Sequence, residues 1–152
     1  MLSRHFLRQK AVQACFNMIW QLDEGKLNLE EEREVYLPQL ELILQRVWDR
    51  EIDDKEEESY KFTQGLLVNT FQDWTETKET ISLFLKEKLD RLPNIDKALL
   101  FTGVAEMRHP DPGVNHLIII NEYVELSKEF SSENAPKLIN GVLHSVKEHL
   151  KN

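Results

Sequence analysis

Apolar side chains recur at steps of three and four residues along most of this chain, which is the periodicity of helices with one buried face. Gly25 is expected to end the first of these helices, and Pro38 suits the first position of a second one. Residues 49–58 are mostly acidic and predict a charged connection into a third helix. The recurring positions of the first two helices are Leu7, Ala11, Ala14, Cys15, Met18 and Leu22, then Leu40, Ile43, Leu44, Val47 and Trp48.

The same periodicity predicts five further helices, which makes the expected fold all-α with about seven helices. Pro93 is expected to end the fourth helix and Asn94 to cap the fifth. The prolines and glycine of residues 109–113 break the chain before the sixth. Gly141 within the last helix predicts a close approach to a neighbouring helix. The apolar positions are Tyr60, Leu67, Phe71 and Trp74 in the third, Ile81, Phe84, Leu85 and Leu89 in the fourth, Ile95, Leu99, Thr102 and Ala105 in the fifth, Ile119, Tyr123, Leu126 and Phe130 in the sixth, and Leu138, Ile139, Val142, Leu143, Val146 and Leu150 in the last.

Composition narrows the class of protein further. The 152 residues are 41% apolar and 30% charged, as expected for one globular domain, and the net charge is −8. No apolar run is long enough for a membrane span, and no signal-peptide pattern precedes the first helix, so we expect a cytoplasmic protein without a membrane partner. An acidic chain does not attract nucleic acid as a whole, so any such binding requires a local basic patch.

Enzymatic chemistry finds no support among the residues. The five glycines are scattered singly and form no phosphate-binding loop, and the histidines lack metal-ligand spacing. Cys15 lies on the apolar stripe of the first helix, where a thiol behaves as a small apolar side chain. The sequence therefore predicts no catalytic residue, metal site or cofactor.

A basic patch does occur at the N-terminus, where no acid precedes Asp23. Guanidinium groups suit phosphate oxygens, so this reversal of sign predicts contact with nucleic acid, although an ordinary solvated helix start would look the same. The basic residues are Arg4, His5, Arg8 and Lys10.

The start of the last helix, at residues 131–137, is a second candidate for contact with an anion such as phosphate. Asn134 is expected to cap it, Pro136 suits its first turn, and Lys137 adds a positive charge. Free backbone N–H groups at a helix start attract anions. Capping alone would also account for these residues.

Two long segments then resemble the NusB family of transcription antitermination proteins. They are INEYVELSKEF at residues 120–130 and ENAPKLINGVL at residues 133–143. Residues 11–14, which read AVQA, resemble the family's first helix together with Arg4 and Arg8. Gly65, Asn69 and residues 96–100 also fall where the family has similar residues.

The resemblance implies a single non-catalytic domain of two packed helical halves, approximately residues 1–73 and 74–152. It implies binding of boxA RNA, a single-stranded element of ribosomal RNA transcripts, together with the basic ribosomal protein NusE in the RNA polymerase antitermination complex. By the same resemblance Arg4, Arg8 and Lys137 match RNA-contacting positions. About three cationic contacts to single-stranded RNA would give a slope near −2 for log affinity against log salt. Asp90 and Asp96 match acidic positions that face NusE.

Departures from the family pattern keep other functions open. His5 and Phe6 stand where family members often continue an arginine run, and Asn134 stands where Asp is common. The first alternative is a protein-only helical adaptor with little affinity for RNA. A second is an accessory domain of a ribosomal RNA methyltransferase, which the lack of a glycine-rich cofactor fingerprint disfavours.

Overall fold

The computed structural model describes residues 2–151, which contain seven α-helices and one short 3₁₀ turn and no strand. This confirms the all-α prediction, including the helical reading of the apolar run at residues 117–120. None of these helices is both long and apolar enough to cross a membrane. The helices are α1 (Arg4–Asp23), α2 (Arg33–Trp48), α3 (Glu57–Gln72), α4 (Trp74–Ser82), α5 (Asn94–Arg108), α6 (His116–Phe130) and α7 (Ala135–Leu150), with the 3₁₀ turn at Leu89–Arg91.

Two predicted boundaries are wrong by a turn or more, and a third is wrong by one residue. Pro38 lies inside α2. The helix tolerates it because the fixed φ of proline is helical. The carbonyl of Glu34, which loses its N–H partner, belongs to an exposed residue. The predicted fourth helix stops at Ser82, and Leu83 beyond it is 67% exposed. Pro93, not Asn94, occupies the N-cap position of α5.

The helices form two compact units, the first ending at Gln72. In this unit α1 packs against both α2 and α3, and its predicted apolar stripe from Leu7 to Met18 is buried. Trp48 at the end of α2 meets the rings of Phe6 and Tyr60 edge to face, with centroid distances of 6.2 and 5.2 Å. The start of α1 is thereby fixed against the end of α2.

The second unit begins at Asp73 and is built around α5, which is buried from Ala98 to Met107. A Cβ at Gly103 would lie 3.3 Å from the side chains of Leu143 and Tyr123, so the missing side chain lets α6 and α7 approach closely. A Cβ at Gly141 would have no neighbour within 4 Å. The close approach predicted for Gly141 is therefore wrong, and Gly103 has that role instead.

Candidate nucleic-acid interface

The first turn of α1 contains basic side chains and no acid. Ser3 caps the helix, since its hydroxyl accepts a hydrogen bond of 3.1 Å from the backbone N–H of Phe6. Arg4 is exposed and His5 is partly buried. Acids stabilise helix N-termini and cations do not, because the helix dipole is positive there. The positive charge of this turn is therefore not explained by helix stability.

Arg4 is the most accessible of the predicted N-terminal cations, and it contacts an aromatic ring. Its guanidinium carbon lies 3.9 Å from the ring centroid of Phe62 on α3. Phe62 itself is partly buried. Sequence reasoning missed Phe62, because the contact depends on how α3 packs beside α1 and leaves no local signal.

Arg8 does not have the surface position that the sequence suggested, because only 4% of it is exposed. It begins a second buried row on α1, which continues through Val12 and Ile19. The structure therefore buries two rows of this helix, whereas the periodicity had indicated one stripe. Burial withdraws the Arg8 side chain from direct contact with an external ligand in this structure.

Lys10 is also engaged within the first unit. Its ammonium donates a 3.0 Å hydrogen bond to the carbonyl of Val47, which lies in the last turn of α2 and would otherwise have no helical partner. The ammonium also lies 5.2 Å from the ring centroid of Phe6. A second cation, Arg50, is 6.0 Å from the same ring and pairs with Glu56 at 2.6 Å. Sequence reasoning did not single out Arg50, which stands among the acids after α2.

The start of α7 repeats the charge pattern of α1 in the second unit. No acid occurs in its first turn, Pro136 is in that turn as predicted, and Lys137 is exposed. Asn134 has the N-cap position, but its side chain makes no capping hydrogen bond. Its predicted capping bond is therefore absent, while its amide lies at the surface.

A cavity of about 540 Å³ adjoins this helix start. Asn134 and Lys137 line it together with Lys86, and apolar side chains including Leu85 and Leu138 complete the wall. The second unit thus places two lysines and one acid, Glu87, around a partly apolar depression.

The two carboxylates predicted to face a partner differ sharply in exposure. Asp90 lies in the 3₁₀ turn and is exposed. Asp96 is 3% exposed, and its carboxylate accepts a hydrogen bond from the hydroxyl of Ser131. The surface position expected for Asp96 is therefore wrong, because this residue ties the first turn of α5 to the end of α6.

Another cavity, of about 750 Å³, lies between α2 and α3 in the first unit. Glu41 in its wall accepts hydrogen bonds from the hydroxyl of Tyr60 and from the amide of Gln64, the latter at 2.6 Å. Burial, reinforced by Glu41, raises the pKa of Tyr60 and keeps its hydroxyl a neutral donor. None of the sequence-predicted site residues lines this cavity.

Comparison with known proteins gives one family. The model of the NusB family matches residues 6–148. The transcription antitermination protein NusB of Bacillus mycoides strain KBAB4 is 34% identical over 98 residues, which cover 64% of this chain and 75% of that protein. The protein of the same name from Bacillus pumilus strain SAFR-032 is 36% identical over 97 residues, covering 63% and 73%.

Two solved structures share the fold at low sequence identity. T. maritima NusB superposes with a TM-score of 0.76 at 22% identity, covering 97% of this chain and 92% of that one. A chain from a crystal structure of the antitermination factors NusB and NusE in complex with dsRNA gives a TM-score of 0.71 at 21% identity, with 96% of both chains covered.

Proposed function

This chain belongs to the NusB family, whose curated relatives are transcription antitermination proteins, and on that premise we propose that it binds boxA-type single-stranded RNA together with NusE. A structure of similar fold contains NusB, NusE and dsRNA, which supports the RNA and NusE parts of this proposal. The proposed role is non-catalytic. The protein would join the nascent ribosomal RNA transcript to the RNA polymerase antitermination complex.

The observation that supports RNA binding best is the charge of two helix starts. Both α1 and α7 begin with basic side chains and no acid. A bound phosphate would interact favourably with the free N–H groups, the helix dipole and the neighbouring cation. We assign direct phosphate contact to Arg4 at the start of α1 and to Lys137 at the start of α7. His5 is the neighbour of Arg4 in the first helix, and Asn134 precedes Lys137 at the other. Lys10 and Arg8 support the first helix from within.

The acidic surplus supports the proposed protein partner. Because NusE is expected to be basic, an exposed carboxylate such as Asp90 favours its approach and disfavours RNA at the same place. This division assigns RNA to the two helix starts and NusE to the surface at Asp90.

A mobility-shift titration with boxA RNA, single-stranded and annealed to its complement, tests the proposal with and without NusE. We expect single-stranded RNA to shift weakly alone and more strongly with NusE. Arg4→Gln should weaken the shift about tenfold or less, since one charge-assisted contact is lost. Arg33→Gln is the matched control, because it removes the same charge from another exposed arginine. Arg33 is the first residue of α2, whereas the N-terminal basic residue Lys10 contacts the last turn of that helix.

Lys137 is tested in the same way. Lys151→Gln removes the same charge at the far end of α7, roughly 20 Å away at 1.5 Å per residue. Lys137→Gln should weaken RNA binding and Lys151→Gln should not.

Asp90→Asn should weaken capture of NusE. RNA binding measured in the absence of NusE should stay unchanged.

The burial of Arg8 and the internal bond of Lys10 favour one alternative, a protein-only adaptor. That function predicts capture of NusE with no RNA shift under either condition. Failure to bind NusE as well as RNA would reject both functions.

A further inference from the structure

The cavity beside the start of α7 has the size and composition of a site for a small ligand. Its volume of about 540 Å³ lies within the range of about 300–1,000 Å³ that is typical of such sites. Part of its wall is apolar and comes from the segment after α4 and from α7. The apolar side chains are Phe84, Leu85, Leu92, Leu138 and Val142.

A glycine inside α7 keeps part of this cavity open. Gly141 lies in the wall, is itself exposed, and a Cβ added to it would meet no atom within 4 Å. Glycine destabilises a helix interior relative to alanine, and packing among the described residues does not require it here. A ligand in the cavity would require it, because a longer side chain would enter the same space.

The polar groups of the wall suit a nucleotide. Lys86, Lys137 and Asn134 line the cavity together with the acid Glu87, so positive charge is in excess. An ammonium group pairs well with phosphate and also donates to the oxygen and nitrogen acceptors of a base. The side chain of Asn134 makes no capping hydrogen bond, so its amide is available to a base edge. The cavity therefore combines an apolar wall with donors for a base and its phosphate.

We infer that this cavity binds one unpaired base of the RNA, with the phosphate of that nucleotide at Lys137 and the edge of the base at Asn134 and Lys86. The inference rests on the proposed function and deepens it, since it gives a physical reason for a preference for single-stranded RNA. A base in a duplex is paired and stacked, and it has to leave the duplex at a cost in free energy before it enters a pocket. A base of a single strand avoids the cost of breaking a base pair.

The first test fills the cavity without changing a charge. Gly141→Leu introduces a good helix former whose side chain would occupy the space of the base. We expect affinity for single-stranded boxA RNA to fall about tenfold, within the range for a base packed against an aromatic side chain such as Phe84. Affinity for the same RNA annealed to its complement should not change. The slope of log affinity against log salt should also stay the same, because no cation is lost.

Gly65→Leu is the matched control for this variant. Gly65 is also an exposed glycine inside a helix, and a Cβ added to it would meet no atom within 4 Å. It lies in the first unit and does not line this cavity, so Gly65→Leu should leave RNA affinity unchanged. Urea unfolding of both variants identifies any loss of folded protein at the assay temperature.

A second test removes the base and leaves the cavity intact. BoxA RNAs that each lack one base but keep the backbone are titrated against the unaltered chain and against Gly141→Leu. At one position the missing base should weaken binding to the unaltered chain about as much as Gly141→Leu does. With Gly141→Leu the same missing base should have no further effect, because the base and the cavity form one interaction. Free ribonucleoside monophosphates should bind far more weakly than the RNA.

Each outcome separates the inference from the function on which it rests. If Lys137→Gln weakens RNA binding and Gly141→Leu does not, the base site is rejected while the proposed function stands. Equal losses for single-stranded and duplex RNA would show that Gly141→Leu acts on the backbone contacts, and would also reject it. A monophosphate that binds as tightly as the RNA would make a free nucleotide the ligand of the cavity in place of RNA. Absence of RNA binding by the unaltered chain, with or without NusE, would reject both.

Discussion

Two aspartates six positions apart in the chain have opposite environments. Asp90 is exposed in the 3₁₀ turn, whereas Asp96 is buried and accepts a hydrogen bond from Ser131. A buried carboxylate needs such a partner, because its desolvation is otherwise uncompensated. The structure therefore separates a residue that stabilises the fold from one that is available to a partner.

We expect Asp96→Ala to lower the free energy of unfolding by about 1–3 kcal/mol, since it leaves the Ser131 hydroxyl without its acceptor. Asp90→Ala should change it by no more than about 0.5 kcal/mol, as for an ordinary surface position. Urea denaturation of both variants measures the difference. Equal losses would contradict the structural role of Asp96.

Glycines within helices show how an element depends on its neighbours. Glycine destabilises a helix interior relative to alanine, so its presence suggests a packing reason only where a neighbour is close. At Gly103 the side chains of Leu143 and Tyr123 are that reason, and both are fully buried. At Gly141 no atom lies near enough to require glycine.

The two glycines therefore predict opposite effects of the same substitution. Gly141→Ala should stabilise the protein by about 0.5–1 kcal/mol through helix propensity. Gly103→Ala should destabilise it, because Leu143 and Tyr123 have little space to move away from a new methyl group. Thermal and urea unfolding measure both changes. Stabilisation by Gly103→Ala would show that α6 and α7 can shift to admit a side chain.

The whole molecule combines a net charge of −8 with basic starts of two helices. Its overall field repels RNA, so binding has to rely on short-range contacts at those starts. The structure also leaves fewer such contacts than the sequence suggested. Arg4 and Lys137 are exposed, whereas Arg8 is buried and Lys10 is bonded to α2.

Two phosphate contacts in place of three predict a weaker dependence on salt. The slope of log affinity against log salt for single-stranded RNA should be about −1.4, in place of the −2 expected from the sequence. Titration of the protein alone at several salt concentrations measures it. A slope of −2 or steeper would indicate that Arg8 or Lys10 is released from its internal contacts to bind phosphate.

The sequence by itself determined the all-α class, the order of the helices and the reversal of charge at the first helix. These properties follow from the spacing of apolar residues and from the local sum of charges, both of which are written along the chain. The resemblance of residues 120–143 also gave the family that the comparisons confirm. The sequence did not determine where each helix begins and ends, because residues such as Pro38 and Asn94 are compatible with more than one position in a helix.

Only the tertiary structure decided which candidate residues face solvent. Arg4 and Arg8 lie one helical turn apart, yet one is exposed and the other is buried. The burial of Asp96, the need for glycine at position 103 and the ring of Phe62 beside Arg4 have the same origin. Each depends on which surface of a distant helix lies opposite, and the spacing of residues within one helix does not contain that information.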